Sequence, residues 1–257
     1  MFAQWLINFS KRKFEGYIMG KSLSLVMPTS DMGGSSRNYM EYQFHTALNQ
    51  TTDDFDIVVS DQTSDDWIEK RCEYYSDRLD IKYHRFNGPK RLPNNTNNAL
   101  KLATGKILKP LFLDDIMLDE TVVETYIAVH DQNPDSHWAF GSFGHFDNET
   151  PDQLGRFMSP KWNDQIYLYN TLGNPSVMSV KNDPDLPLMD ETFIWVVDIE
   201  WYKRLQMKYG MPLGIERVLI GIRLHDDSMS SSITDEVKNE ENERVRNMYE
   251  AVENDKV

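Results

Sequence analysis

Asp114 and Asp115 close an apolar run, Ile107-Leu108-Lys109-Pro110-Leu111-Phe112-Leu113, and so stand where a buried strand meets solvent. A strand of that composition is normally covered on both faces in an α/β sheet. Ligands of such sheets bind in the crevice beyond the carboxyl ends of the strands. Two hard oxygen donors at that point suit Mg²⁺ or Mn²⁺ held against a phosphorylated substrate. The competing reading is plain: Asp114 caps a turn and Asp115 is solvated, because Asp is common at turns and helix caps. Other strand ends carry polar groups too, Thr29 and Ser30 after the first and Asp61 after the second. Side by side, they would let one crevice offer base, ribose and metal-diphosphate contacts, although Asp61 alone reads equally well as a turn residue. No Walker loop is present, and Thr29 to Gly34 lacks the glycine spacing of a dinucleotide fingerprint, so phosphates would be held mainly by metal.

The elements that must position these residues alternate strand and helix, which argues for a mostly parallel sheet flanked by helices. Leu23 to Met27, Phe55 to Ser60 and Ile81 to His84 read as strands, and Ile107 to Leu113 as the one that delivers the acid pair. Met40, Phe44, Ala47 and Leu48 have helical spacing, as do Ile68, Cys72 and Tyr75 behind the cap candidates Ser64, Asp65 and Asp66. The Asn-rich stretch after Pro93 reads as a polar connection, with a short helix only from about Asn98 to Ala103 and a C-cap candidate in Gly105. Thr121 to His130 is a predicted helix and Trp138 to Phe143 a predicted strand. Phe146 to Asn174 is loop-rich and aromatic, suiting either a binding surface or simple packing. Beyond it come a strand at Val177 to Val180, a helix at Phe193 to Tyr209 and a strand at Val218 to Arg223. His225 and the serines Ser228, Ser230, Ser231 and Ser232 follow that strand. Thr234 to Glu253 is a charged helix whose apolar stripe, Val237, Val245, Met248 and Val252, is thin enough to predict a solvated tail.

A chain of 257 residues, 40% hydrophobic and 12% aromatic, can bury a proper core. Its net charge of −14 gives no basic footprint for nucleic acid. One cysteine, Cys72, excludes an internal disulfide and a cysteine-rich zinc site, which fits a reducing compartment and a cytoplasmic protein. No run approaches the roughly 18 apolar residues of a membrane-spanning helix. Trp5, Leu6, Ile7 and Phe9 precede Lys11, Arg12 and Lys13, the reverse of a signal peptide. That stretch is either an interfacial helix making peripheral membrane contact or an extension before the fold begins near Ser22, with Met19 an alternative start.

Ser24 to Ser30 (Ser-Leu-Val-Met-Pro-Thr-Ser), Ile57 to Asp66, Asn97-Asn98-Ala99-Leu100 and Leu111 to Asp115 (Leu-Phe-Leu-Asp-Asp) stand in an order that resembles a family 2 glycosyltransferase of the GT-A fold. The likeness continues through Gly173-Asn174-Pro175-Ser176, Val197-Asp198 and Ile222-Arg223-Leu224-His225, and so spans most of the chain. It implies an α/β GT-A fold with a mostly parallel central sheet and a mixed acceptor-side half. It further implies that Thr29 and Asp61 contact a nucleotide base in a pocket shaped by Pro28 and Ser30, and that Asn97 lines the nucleotide-sugar cleft. Asp115 would match the metal-binding acid, with Asp114 beside it and His225 completing the metal shell or touching a phosphate. Leu113 and Ile116 stand where many members carry further acids, so the resemblance leaves open which carboxylate meets the ion. Thr96 replaces a frequent arginine, leaving Lys109, Arg91 or Lys90 for the diphosphate.

The activity implied is an inverting, metal-dependent transfer from a nucleotide-diphospho-sugar, a UDP-sugar for preference, to a glycan, lipid-linked or protein acceptor. Asp198 would act as general base, partly desolvated among Trp195, Val196, Val197 and Ile199; Glu200, Asp190 and Glu191 are its rivals. A noncatalytic nucleotide- or sugar-binding protein of the same fold is the alternative. A nucleotidyltransferase ranks lower, because Asp31 to Arg37 offers glycine but one basic residue. The expected organisation is an N-terminal extension (1–21), one domain (22–233, divided at 130 into nucleotide-sugar and acceptor halves) and the C-terminal helix (234–257). The sequence leaves oligomeric state open.

Overall fold

The computed structural model describes residues 20–147, 154–225 and 232–254. Nearly all of the expected N-terminal extension, with Met19 and its aromatic-basic stretch, lies outside the described residues, as do Ser228, Ser230 and Ser231.

The first half alternates strand and helix as expected: β1 (Leu23–Thr29), α1 (Ser36–Leu48), β2 (Phe55–Asp61), α2 (Trp67–Tyr75), β3 (Ile81–Arg85), α3 (Leu92–Leu102) and β4 (Ile107–Pro110). The strands β3-β2-β1-β4 are parallel neighbours. Every residue of β1, β2 and β4 is buried, as strands covered on both faces should be. The second half supplies β5 (Ile116–Met117), α4 (Val122–Gln132), β6 (Trp138–Phe146), β7 (Phe157–Met158), β8 (Met178–Lys181), α5 (Val197–Tyr209), β9 (Leu213–Arg223) and α6 (Asp235–Asn254). These strands continue the same nine-stranded sheet in the order β4-β8-β6-β9-β5, with β7 on β6. Here the ladders are mixed: β8 runs antiparallel to β4 and β6, while β6 and β9 are parallel.

Several elements differ from the expectation: β4 stops at Pro110 rather than Leu113, α5 starts at Val197 rather than Phe193, and β9 starts at Leu213 rather than Val218. Three further differences each have a physical reason. β1 continues through Pro28 to Thr29, which registers with Asp61. The ladder of β4 on β1 ends at Val26↔Pro110, so Pro28 has a strand on one side only, the edge-like position that proline tolerates. The Asn-rich connection is not a loop but the body of α3, entered through Pro93 in its first turn. Asn favours turns because its side chain competes for backbone partners, and here those side chains are occupied by other elements. The Asn95 amide donates to the Thr29 carbonyl at 2.9 Å and accepts from the Ser60 hydroxyl at 2.6 Å, while Asn98 donates to Ser60 at 2.8 Å.

The third difference is α6. It docks rather than trailing into solvent, through Glu241, Val245 and Tyr249, which are buried at successive helical turns. A glutamate within the stripe hides it from a purely apolar reading. Cys72 is buried against the core, and burial pushes its thiol up to about 12, so it is a packing residue.

Asn95→Ala leaves the buried Ser60 hydroxyl and Thr29 carbonyl each short of a partner. It should destabilise the fold by about 1–3 kcal/mol in urea unfolding, with an unchanged m-value.

Candidate active site

The acid pair sits in a tight turn rather than on a strand, because β4 stops at Pro110. Four groups hold that turn. Gln43 of α1 donates to the carbonyls of Leu113 (3.1 Å) and Asp115, the Phe112 N–H donates to the Ser176 hydroxyl at 2.8 Å, and the Asp115 N–H donates to the Phe112 carbonyl at 3.1 Å. The Asn174 amide donates to Asp115 Oδ2 at 2.7 Å, while its own Oδ1 accepts from the Ser176 N–H at 3.1 Å. Gly173, one residue earlier, has φ +98°, and a Cβ there would lie 2.7 Å from the Phe143 ring, so glycine serves both conformation and space.

This framework separates the two acids. Asp115 is 1% exposed, and burial together with the neighbouring Asp114 charge pushes its carboxyl up to about 7, opposed by the hydrogen bonds from Ser176, Asn174 and the Arg223 backbone. The Asp114 side chain is 20% exposed, and its Oδ2 lies 3.0 Å from His225 Nε2. Arg223 of β9 donates from Nε to the Asp114 carbonyl at 3.2 Å, its guanidinium resting on the Tyr39 and Phe146 rings. Strand β9 thus carries His225 to the acid pair.

Asp114, Asp115 and His225 line one cavity of about 780 Å³, a volume typical of small-molecule sites. Asp198, in the first turn of α5, lines the same cavity. Its Oδ2 accepts from the Asn170 amide at 3.2 Å, and burial raises its carboxyl from 3.8 to about 6 against hydrogen bonds from the backbone N–H groups of Asp198 and Ile199. The three rival acids are engaged elsewhere. Glu200 pairs with Arg204 at 2.6 Å and accepts from the Tyr249 hydroxyl, Glu191 accepts from Asn94 and Asn97, and Asp190 accepts from Thr192. None of them lines the cavity.

The expected base-side residues lie outside that cavity, at the adjoining ends of β1 and β2. Pro28 and Thr29 are buried and Ser30 is exposed. Asp61 is buried with both oxygens bonded: Oδ1 accepts from Thr29 (3.0 Å) and the Thr63 N–H (2.8 Å), Oδ2 from Tyr83 (2.8 Å), with Arg85 2.9 Å away. Asn97 does not reach the cavity. Its amide exchanges hydrogen bonds with the backbone of Met189, clamping α3 to the loop that leads to α5.

Lys109 cannot serve a diphosphate, because it is 1% exposed and its ammonium donates to the carbonyls of Pro110 (2.8 Å) and Ser176. Arg91 donates to the Glu191 carbonyl, and Lys90 is exposed away from the cavity lining. Arg37, the one basic residue after β1, bonds to Asp65.

Sequence reasoning missed Asn170 and gave Asn174 and Arg223 no role of their own, while Trp195 was named only as an apolar neighbour of Asp198; all four line the cavity. Asn174 and Arg223 stood inside quoted motifs, Gly-Asn-Pro-Ser and Ile-Arg-Leu-His, and their polarity beside apolar neighbours was the available signal. Asn170 carried none, because its role depends on the fold of an irregular loop. Among the described residues no three His, Cys, Asp or Glu side chains converge on one point. No described helix is long and apolar enough to cross a membrane.

A family profile described as Glycosyl transferase family 2 matches residues 24–182. Solved structures share the fold at low identity. That of TarS 1-349 from S. aureus, in complex with UDP-GlcNAc, matches with a TM-score of 0.62 at 17% identity over 83% of this chain and 61% of that one. A longer TarS structure gives a TM-score of 0.59 at 17% identity over 80% of this chain, which spans only 37% of its length. The mannosyltransferase PcManGT from Pyrobaculum calidifontis, in complex with GDP-Man and Mn2+, gives 0.57 at 11% identity over 85% of this chain and 62% of that one. No curated protein matches the chain.

The raised carboxyl of Asp198 has a consequence for stability. Its protonated form is favoured by folding, so its stabilisation is whole below pH 3.8 and lost as pH rises through about 6. Above that the buried charge costs at most about 3 kcal/mol. Asp198→Asn should therefore raise the unfolding free energy by about 1–3 kcal/mol at pH 8 and by less at pH 5. A loss at pH 8 would contradict the burial of this charge.

Proposed function

The chain belongs to glycosyl transferase family 2, and from that premise we propose that it moves a sugar from a nucleoside-diphosphate donor, a UDP-sugar for preference, to an acceptor hydroxyl. The observation that carries this reading is the placing of Asp114 and Asp198, from different elements, on one cavity beyond the strand ends. One acid is suited to the diphosphate side and the other to the acceptor side. The nucleotide sugars bound by TarS and PcManGT, with Mn²⁺ in the latter, support the donor class.

The donor set fits a divalent ion. Asp114 and His225 present an oxygen and a nitrogen 3.0 Å apart, and Mg²⁺ or Mn²⁺ is commonly held by one or two protein groups with the remaining positions taken by phosphate and water. Asp114 takes the direct contact, because Asp115 is spent on Asn174 and the turn. Bound there, a divalent ion would neutralise charge on the departing diphosphate. Thr29, Pro28 and Ser30 border the base, and Asp61 acts by fixing Thr63, Tyr83 and Arg85, since its own oxygens are occupied.

Asp198 receives the acceptor proton. Partial burial gives its carboxyl a proton affinity nearer to neutrality than an exposed Asp has, while the Asn170 amide holds it in place. Attack assisted by one base and opposed to the diphosphate is a single displacement, so the anomeric centre inverts. The acceptor is a glycan, lipid-linked or protein hydroxyl, and the lone buried thiol suits a cytosolic setting, free or at a membrane surface.

UDP should raise the melting temperature more with Mn²⁺ than without, and Asp114→Ala should remove the Mn²⁺-dependent part. If that part survives in Asp114→Ala, the metal assignment is wrong. Asp198→Asn should lower turnover by roughly 10²–10⁴-fold with donor binding retained. The wild-type pH profile should rise through an acid limb near 6, where Asp198 loses its proton.

A further inference from the structure

Val196, at the start of the helix that presents Asp198, has no side chain able to accept a hydrogen bond. The first-turn N–H groups of Asp198 and Ile199 are met by the Asp198 carboxyl, but those of Ile194, Trp195 and Val196, which lead into α5, need acceptors from elsewhere. These come from a residue 45 positions beyond Val196. Glu241 Oε1 accepts from the Ile194 N–H at 2.9 Å, and Oε2 accepts from Trp195 at 2.7 Å and Val196 at 3.2 Å. The carboxylate is 7% exposed and sits at the positive end of the α5 dipole. A second tie runs from the Tyr249 hydroxyl on α6 to Glu200 of α5, at 2.9 Å. The next residue after Glu241, Asn242, lines the cavity together with Ile233, so this helix touches the reaction space as well as the frame behind it.

We propose that Glu241 is a positioning residue for sugar transfer: from α6 it fixes the backbone of Ile194 to Val196, and hence the direction in which α5 delivers the Asp198 carboxylate. The proposal rests on Asp198 being the base. Around that carboxylate stand the Asn170 amide and, one helical turn on, Tyr202, with Asp114, Asp115, Arg223 and His225 lining the same cavity. Glu241 reaches it only through the backbone it caps. Removing the cap frees residues 194–196 and lets water reach Asp198, which lowers its proton affinity and spreads its orientation.

The test uses the full chain with Glu241→Gln, Glu241→Asp and Asp198→Asn. Amide exchange at Ile194 to Val196 and the carboxyl titration of Asp198, followed by ¹³C NMR, need no substrate. Hydrolysis of UDP-GlcNAc with Mn²⁺ supplies the turnover probe. Glu241→Gln should speed exchange at those amides and move the Asp198 titration from about 6 toward 3.8. It should also lower kcat roughly 10- to 100-fold with donor KM little changed. Glu241→Asp keeps the charge one methylene short, and should fall between Gln and the wild type in all readouts; it also serves if the Gln variant fails to fold. Wild-type exchange, titration and kcat in Glu241→Asp, or in a folded Glu241→Gln, would overturn the proposal. If Glu241→Gln moves the titration and exchange while Asp198→Asn leaves turnover intact, the positioning holds and the base assignment fails instead.

Discussion

The bond on which the two halves of the molecule depend is that from the Asn174 amide to the buried carboxylate of Asp115, at 2.7 Å. A carboxylate withdrawn from water must be hydrogen-bonded or neutralised, and leaving it unpaired costs several kcal/mol. Asp115 belongs to the turn after β4, while Asn174 belongs to the loop before β8, so satisfying this one group sets the turn that ends the first half of the sheet against the second half. The same turn is gripped from α1 by Gln43 and again from the loop before β8 by Ser176. With Asp115 held inward, the chain direction through a tight turn carries Asp114 outward, toward His225 and the cavity. An adjacent pair of like residues thereby acquires two different environments without any difference in chemistry between them.

The same device recurs wherever the site is shaped. Asn95 ties α3 to β1 and β2, Asn97 ties α3 to the loop that leads into α5, and Glu241 ties that loop to α6. Each is a polar side chain that has given up water and can be satisfied only by one arrangement of backbone. Such bonds add modest stability, but they penalise every alternative packing in which their partners are missing. The apolar core decides that the chain collapses, and these clasps decide where the cavity walls stand.

Much of this was legible in the residues. Buried strands showed as continuous apolar runs, and α1 and α2 bury the very residues, Met40 and Phe44 or Ile68, Cys72 and Tyr75, whose spacing marked them. The sequence groups Asp115, with Asp114 beside it, with Asp198 and His225, and all four line the cavity. What escaped has a common cause. Asn94 to Asn97 reads as a loop because local propensity says so, and long-range partners reverse that preference. Helix α6 reads as solvated because its buried stripe includes a glutamate, whose partners are backbone amides invisible to any pattern of residue types. The division between Asp114 and Asp115 escaped for the same reason, since it depends on Asn174, 59 residues away.

The proposed function requires Asp114, rather than Asp115, to face the diphosphate. Anomalous scattering from a crystal grown with UDP and Mn²⁺ would test this directly. The arrangement described above predicts a manganese peak within bonding distance of Asp114, with Asp115 still bonded to Asn174. Manganese on Asp115 with the Asn174 bond broken would contradict it.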